Sequence, residues 1–306
     1  LSQSGKTIDS MAVLGAEGTY YMSEKNIYVA TETDAWRKTK ISRYSYEKGT
    51  IKYACEKVIN GTILNQFSMD EYEGNLRFAA TTYDDNGKTT NGLYIVDSSF
   101  KTIGSVSRLA PGERIYSARF MGESVYFVTY RETDPLFLVD VSDPANPVVK
   151  DKLKIPGFSD YLHPFGENML LGIGSIQDKE GNSYVKLSMF DISNPEKVKE
   201  IHSKKLGKNT VQNMGSDHKG IVVDAERNRI AFGVENYDDT TDSFYEIFSY
   251  DKQKGFQNIA KLSLEESYST ESRGLYIGDY FYLCKTSSGI CVYDTKKYKK
   301  IRSIAY

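Results

Sequence analysis

The chain has 306 residues, a formal net charge of −2 and a pI near 6.1. A nearly neutral chain presents no overall basic field, so nucleic acid is not an expected partner. No stretch approaches the roughly 20 apolar residues that a membrane-spanning helix needs.

In chain order the residues read as short strands in groups of four, labelled a to d. The first group is 18–22, 26–31, 41–46 and 51–58. The second runs from Gln66 through FSMDEY, LRFAATT, LYIVD and TIGSVS, and the third from Ile115 through YSARF, VYFVTY, LFLVDV and VVKDKLKI. Further groups begin near Asp160, His218 and Arg273. The b runs (VYFVT, YFYLC, MLLGIG) are apolar with little alternation, as expected when both faces of a strand are covered. The d runs (VVKDKLKI, VKEIHSK, KKIRSIA) alternate with charge and suit an outer edge, where Lys discourages strand addition.

An acid ends each c strand: Asp97, Asp140, Asp191, Asp251 and Asp294, after a degenerate first copy at Glu47. Successive spacings are 50, 43, 51, 60 and 43 residues. An Asp just past a strand accepts from backbone N–H groups about two positions on and nucleates a turn. Several short strands per period of about fifty residues, with no amphipathic helix, is a propeller-like pattern. The expected fold is therefore all-β, a β-propeller of four-stranded antiparallel blades. Six repeats are recognisable, and a complete protein could hold seven or eight. They form one domain over 1–306, with units near 16–64, 65–113, 114–157, 158–213, 214–269 and 270–306. Residues 1–15 read as an outer strand, either closing the final blade or left from an upstream one. The chain starts at Leu1 without an initiator Met or a leader, which reads as a mature or trimmed piece.

Three blocks carry a specific resemblance: FSMDEYEGNLRFAATT, APGERIYSARFMGESVYFVTYRETDPLFLVDVSDPANP and LKIPGFSDYLHPFGEN. They resemble the signature blocks of a family of secreted prokaryotic proteins with a C-terminal β-propeller domain, distantly related to WD-repeat proteins. The resemblance is strongest over 65–174 and weaker after Ser203. It implies a surface or extracellular location and no catalytic residues. The Gly-His and Trp-Asp dipeptides of WD repeats are absent as a set, and the only Trp is Trp36.

Aligned on the turn that follows them, the a strands place Tyr20, Asp70, Arg119, His163, Asp224 and Leu275 in one register. In a propeller these strands line the central channel. The four polar groups could hold an ion or small ligand there; alternatively Asp70–Arg119 and Asp224–His163 neutralise one another. The d-to-a corners add Glu113-Arg114, Asp160, Asp217-His218 and Glu271 with Arg273. His beside Asp is a metal or general-base arrangement, or an Asp that orients a His tying blade to blade. The b-to-c loops carry Asp84, Asp85, Asp178, Glu180, Asp238, Asp239 and Asp242. They suit Ca2+ or ordinary turns, and none has EF-hand spacing. Corners and loops together should make an acidic face with scattered Arg, where a protein or glycan would bind.

No Gly-x-Ser-x-Gly, phosphate-cradling glycine loop or zinc spacing occurs. GIGS (172–175) lies within or just after a strand without opening a helix and is no dinucleotide fingerprint. Cys284 and Cys291 flank a hairpin symmetrically, as a cross-strand disulfide or as two buried thiols. The leading functional reading is a non-enzymatic, extracellular protein- or glycan-binding module with no cofactor beyond Ca2+. The alternative is a metal-dependent hydrolase or isomerase with its ion on the propeller axis.

Overall fold

The computed structural model describes residues 9–12, 18–33, 37–84, 86–130, 134–238, 243–264, 272–286 and 288–305. The chain divides into two compact units, Leu1–Lys152 and Leu153–Tyr306. Among the described residues, the strands form antiparallel sheets and follow chain order.

In the first unit, β1 (Gly18–Met22), β2 (Asn26–Glu32), β3 (Thr39–Glu47) and β4 (Thr50–Ile59) form one sheet. The second sheet holds β5 (Gly61–Thr62), β6 (Met69–Tyr72), β7 (Asn75–Tyr83), β8 (Thr89–Val96) and β9 (Thr102–Leu109). Here β5 and β6 both pair with β7, so two short pieces share the first position. The third sheet is β10 (Arg114–Met121), β11 (Ser124–Tyr130), β12 (Asp134–Asp140) and β13 (Val148–Ile155).

The second unit begins with the sheet of β14 (Phe158–Pro164), β15 (Met169–Gln177), β16 (Ser183–Asp191) and β17 (Lys199–Lys205). Its middle sheet again has a divided first strand: β18 (Thr210–Val211) and β19 (Val222–Asp224) both pair with β20 (Arg229–Asn236). That sheet continues with β21 (Phe244–Asp251) and β22 (Gly255–Ser263). The last sheet is β23 (Ser272–Ile277), β24 (Tyr280–Lys285), β25 (Gly289–Asp294) and β26 (Lys300–Ile304).

The acids that end the c strands form the turns expected of them. Asp97 Oδ1 accepts from the N–H groups of Ser99 and Lys101, and Asp140 Oδ1 from Ser142. Asp191 does the same with Ser193, and Asp251 with Gln253 and Lys254. Asp294 accepts from Lys296, Lys297 and Lys299. Each carboxylate replaces water for N–H groups that the strand leaves unpaired.

Core packing explains the b strands. The middle residues of β7, β11, β15 and β20 are buried without alternation. Phe78 and Leu76 meet Tyr28 and Ile41 of the first sheet, while Leu93 and Ala79 meet Phe127 and Val125 of the third. In the second unit Tyr245 and Ile247 pack on Phe281 and Leu283. Each such fully buried aromatic or aliphatic side chain stabilises by roughly 1.5–3 kcal/mol. β24 departs from the rule: it alternates, with one face on that core and Tyr280 exposed on the other.

Two local readings are settled by register. Cys284 faces Ile290 and Cys291 faces Leu283, so the thiols are offset by one residue and are free. A one-residue offset puts side chains on opposite faces of a sheet, which overturns the disulfide alternative. Gly174 of the GIGS run lies where an added Cβ would meet the Phe158 carbonyl, so the glycine admits the close approach of β14.

Candidate functional site

The divided first strands position the site in each unit. Between β5 and β6, residues 63–68 leave the sheet and return through a 3₁₀ turn, Gln66–Ser68. The side chain of Asn65 caps it by accepting from Phe67 N–H at 3.0 Å. Between β18 and β19 the longer excursion 212–221 ends in the turn His218–Gly220. The longer insertion lies within the 60-residue spacing ahead of Asp251.

In the first unit, Tyr20, Asp70 and Arg119 line one cleft of about 580 Å³, together with Gln66, Phe67 and Met22. Asp70 is held by Arg77, its cross-strand partner, whose Nε donates to Oδ2 at 3.0 Å. Arg77 is buried between the rings of Tyr72 and Phe120 and donates to the Gly122 carbonyl. Arg119 lies over the Phe67 ring, 4.1 Å from its centroid. The expected Asp70–Arg119 neutralisation is therefore replaced by Asp70–Arg77. Cross-strand register brings Arg77 opposite Asp70, and a bulge between Ile115 and Ser117 precedes Arg119 on β10.

In the second unit, His163, His218, Asp224 and Leu275 line a cleft of about 610 Å³ with Tyr161 and Tyr276. Asp224 accepts from Arg227, through the backbone N–H at 2.9 Å and the guanidinium at 2.7 Å. Those bonds hold its carboxyl below the usual range. The expected Asp224–His163 pairing is not formed; His163 Nδ1 lies 2.9 Å from the Tyr161 hydroxyl.

The corner residues also find other partners. Asp160 occupies a bulge in β14 and accepts from Gln212 Nε2 at 2.7 Å. Burial pushes its carboxyl up to about 6, partly offset by the Gln212 bond. Asp217 grips Arg273 of the next sheet with both oxygens, at 2.8 and 3.0 Å. Neither acid orients the His beside it in sequence. His202 ties one sheet to the next, with its Nδ1 2.8 Å from the Tyr250 hydroxyl. Arg114 is exposed at the start of β10, away from the cleft.

Of the loop acids among the described residues, Asp84 and Asp178 form turns. Asp84 Oδ1 accepts from Asn86 and Lys88 N–H. Asp178 accepts from Glu180 and Asn182 N–H, the Asn182 amide and the Tyr184 hydroxyl. The Asn182 amide bond leads these in lowering the Asp178 carboxyl to about 2. Asp238 accepts from Asn209 Nδ2 at 2.5 Å. Glu180 reaches the Asn182 amide at 3.3 Å. Among the described residues, no three His, Cys, Asp or Glu side chains converge as metal ligands would. Asp85, Asp239, Asp242 and Glu271 lie outside the described residues.

Sequence reading missed Arg77 and Arg227, which neutralise the aspartates of the two clefts, and Phe67, whose ring lies under Arg119. The long spacing before Asp251 signals the second insertion. Nothing in the sequence marks which Arg takes which Asp.

A family model described as a β-propeller domain matches residues 1–298. An uncharacterised protein of Archaeoglobus fulgidus is 34% identical over 287 residues, covering 93% of this chain and 41% of that protein. One of Methanocaldococcus jannaschii is 47% identical over 150 residues, covering 48% of this chain and 24% of that protein. The chain thus spans less than half the length of either relative. The crystal structure of the computationally designed Ika8 protein aligns over 94% of this chain and 74% of that chain, with a TM-score of 0.51 and 10% identity. That is a likeness of fold alone. Six antiparallel sheets, four strand positions in each, and the match along nearly the whole sequence place this chain in the β-propeller domain family.

Proposed function

We propose that the domain is a non-enzymatic recognition module that binds a glycan or a protein segment outside the cell. One observation carries this reading: the aspartates that line the two clefts, Asp70 and Asp224, are committed to neighbouring arginines, while apolar surface remains open beside them. Asp70, Asp224 and Asp217 are engaged by Arg77, Arg227 and Arg273. Tyr20 is 53% exposed and Met22 58% in the first cleft, and Leu275 is 39% exposed in the second. Exposed aromatic rings beside polar groups give large contact area at little entropic cost and suit sugars and peptide side chains. No helix among the described residues is long and apolar enough to cross a membrane. The extracellular location rests on the family resemblance of the sequence blocks.

The test is a glycan and peptide array probed with the purified chain, followed by affinity measurement on Tyr20→Ala and Leu275→Asp. At least a tenfold loss in one of them is expected. Hits that neither substitution weakens would overturn these clefts as the binding surface. Stoichiometric bound metal together with hydrolytic turnover would overturn the non-enzymatic reading. Protease treatment of intact cells should cleave the chain, and full protection would overturn the location.

A further inference from the structure

A separate cleft of about 510 Å³ lies in the first unit, between the β7–β8 turn and the corner that leads from β9 to β10. Lys88 enters it from the turn and Arg108 from the corner. Among the described residues, neither side chain has a hydrogen-bonding or ionic partner. The carboxylate in the wall, Asp84, already spends Oδ1 on two backbone N–H groups of its own turn. An adjoining cavity of about 240 Å³ shares Asn60, Thr82 and Tyr94 with the cleft and adds Lys57. This surface was expected to be acidic with scattered Arg, and Asp85 of its turn lies outside the described residues. The described residues of the cleft set two cations, Lys88 and Arg108, against one carboxylate, and Lys57 of the adjoining cavity already donates to the Phe100 carbonyl and the Thr102 hydroxyl.

The corner is built and held in place. β9 bulges between its pairings with Asn91 and Leu93. Within the bulge Arg108 has φ +61°, and Ala110 just beyond has φ +44°. Residues with a Cβ adopt left-handed backbone at a cost, and such strain gathers at functional sites. A bulge also re-aims the side chain it carries. The buried Asn91 amide donates to the carbonyls of Leu109, Ala110 and Glu113, which fixes the corner from beneath. Arg108 is thus presented from a pinned corner, so binding orders its side chain but not the backbone that carries it.

We infer that this cleft binds an acidic oligosaccharide, with Lys88 and Arg108 taking a carboxylate or sulfate group. Thr89, Ser107 and Asn60 would take its hydroxyls. The wall chemistry favours a sugar over a bare anion. Asn60 Nδ2 is spent on the Tyr83 carbonyl, which leaves its amide oxygen as an acceptor. Thr89 and Ser107 line the cleft with hydroxyls that both donate and accept. An inorganic anion would leave those acceptors unused, whereas the hydroxyls of a sugar donate to them. The site goes beyond the first-strand clefts and stands without them.

The experiment is equilibrium binding of polygalacturonate and dextran sulfate, against neutral dextran and poly-glutamate as controls, repeated at raised salt. At least tenfold preference for an acidic polysaccharide over both controls is expected, weakening with salt. Arg108→Gly should lower that affinity tenfold or more while the thermal midpoint stays level or rises, because glycine accepts the left-handed backbone. Lys88→Ala should weaken binding similarly, and Arg119→Ala should leave it unchanged, which separates this site from the first-strand cleft. Equal binding of neutral dextran, tighter binding of poly-glutamate, or full affinity in Arg108→Gly would overturn the assignment.

Discussion

The middle sheets of the two units share a plan and differ in how they close it. In both, the first strand is interrupted by an excursion, and an Asp on the returning strand faces an Arg on the next: Asp70 opposite Arg77, Asp224 opposite Arg229. In both, that Arg reaches the third sheet of its unit, through Gly122 O or through the Tyr298 hydroxyl. The difference is the partner of the Asp. In the first unit the facing Arg takes it, beneath two aromatic rings. In the second unit Arg227 of the adjacent turn takes it, near solvent, and Arg229 turns to backbone carbonyls and Tyr298. The excursions differ likewise. Residues 63–68 are capped locally by Asn65, whereas the turn 218–220 has no side-chain cap bond. Residues 212–221 are held by Asp160–Gln212, by Gln212 Oε1 accepting from Met214 N–H, by Tyr245 donating to the Gly220 carbonyl and by Asp217–Arg273. One strand register therefore supports two electrostatic designs: a charge pair buried within a sheet, and a set of surface and inter-sheet pairs.

The largest expected effect breaks the buried pair. The Arg77 side chain is 3% exposed and Asp70 26%. Arg77→Ala should destabilise the protein by about 3 kcal/mol or more, because it strands a half-buried carboxylate and opens a gap between two rings. The double variant Arg77→Met with Asp70→Leu should recover most of that loss, since an apolar pair of similar volume leaves no charge uncompensated. Urea unfolding measures both. A loss below about 1 kcal/mol in the single variant would show that Asp70–Arg77 behaves as a surface pair.

A smaller effect concerns the anchor of the second excursion. Folding raises the Asp160 carboxyl to about 6, chiefly by burial. The folded state then binds a proton that the unfolded state has released between roughly pH 4 and pH 6. Stability should therefore fall as pH rises through that window, by about 1–3 kcal/mol, and level off above it. The carboxyls held below the usual range, such as Asp178 and Asp224, release their protons at lower pH and leave this window to Asp160. Asp160→Asn should flatten the profile and gain stability near neutrality. An unchanged slope in that variant would assign the pH dependence elsewhere.

How far the sequence spoke for the structure depends on the range of the interaction. The turn acids were legible because their chemistry is local: Asp97 or Asp294 needs only the N–H groups a few residues on. The b strands were legible because burial on both faces removes alternation, as in β11 and β20. Register along the first strands put Tyr20, Asp70, Arg119, His163, Asp224 and Leu275 at one level, and the clefts of the two units each hold three of them. Pairing was not legible. Whether Asp224 meets His163 or Arg227 turns on a few ångströms of backbone, and the bulges at Tyr116 and Asp160 carry no composition signal. The left-handed backbone of Arg108 was invisible for the same reason, since glycine is the residue that normally announces it.

The smallest expected effect is the counterpart of the Arg77 experiment. Arg227 is half exposed, with its side chain 50% accessible. Arg227→Ala should cost less than about 1 kcal/mol, and raised salt should shrink that cost further. The turn has other supports: Arg227 N–H still donates to Asp224, and Asn228 exchanges two hydrogen bonds with the Tyr250 backbone. Asn228 also accepts the left-handed conformation of that turn, at φ +53°, more readily than most residues. The loss from Arg77→Ala, by contrast, should respond less to salt, because Arg77 is buried between Tyr72 and Phe120 and only Asp70 faces the cleft. If both variants lost similar stability with similar salt dependence, the two middle sheets would share one electrostatic design after all, and the difference between their Arg partners would carry no energetic weight.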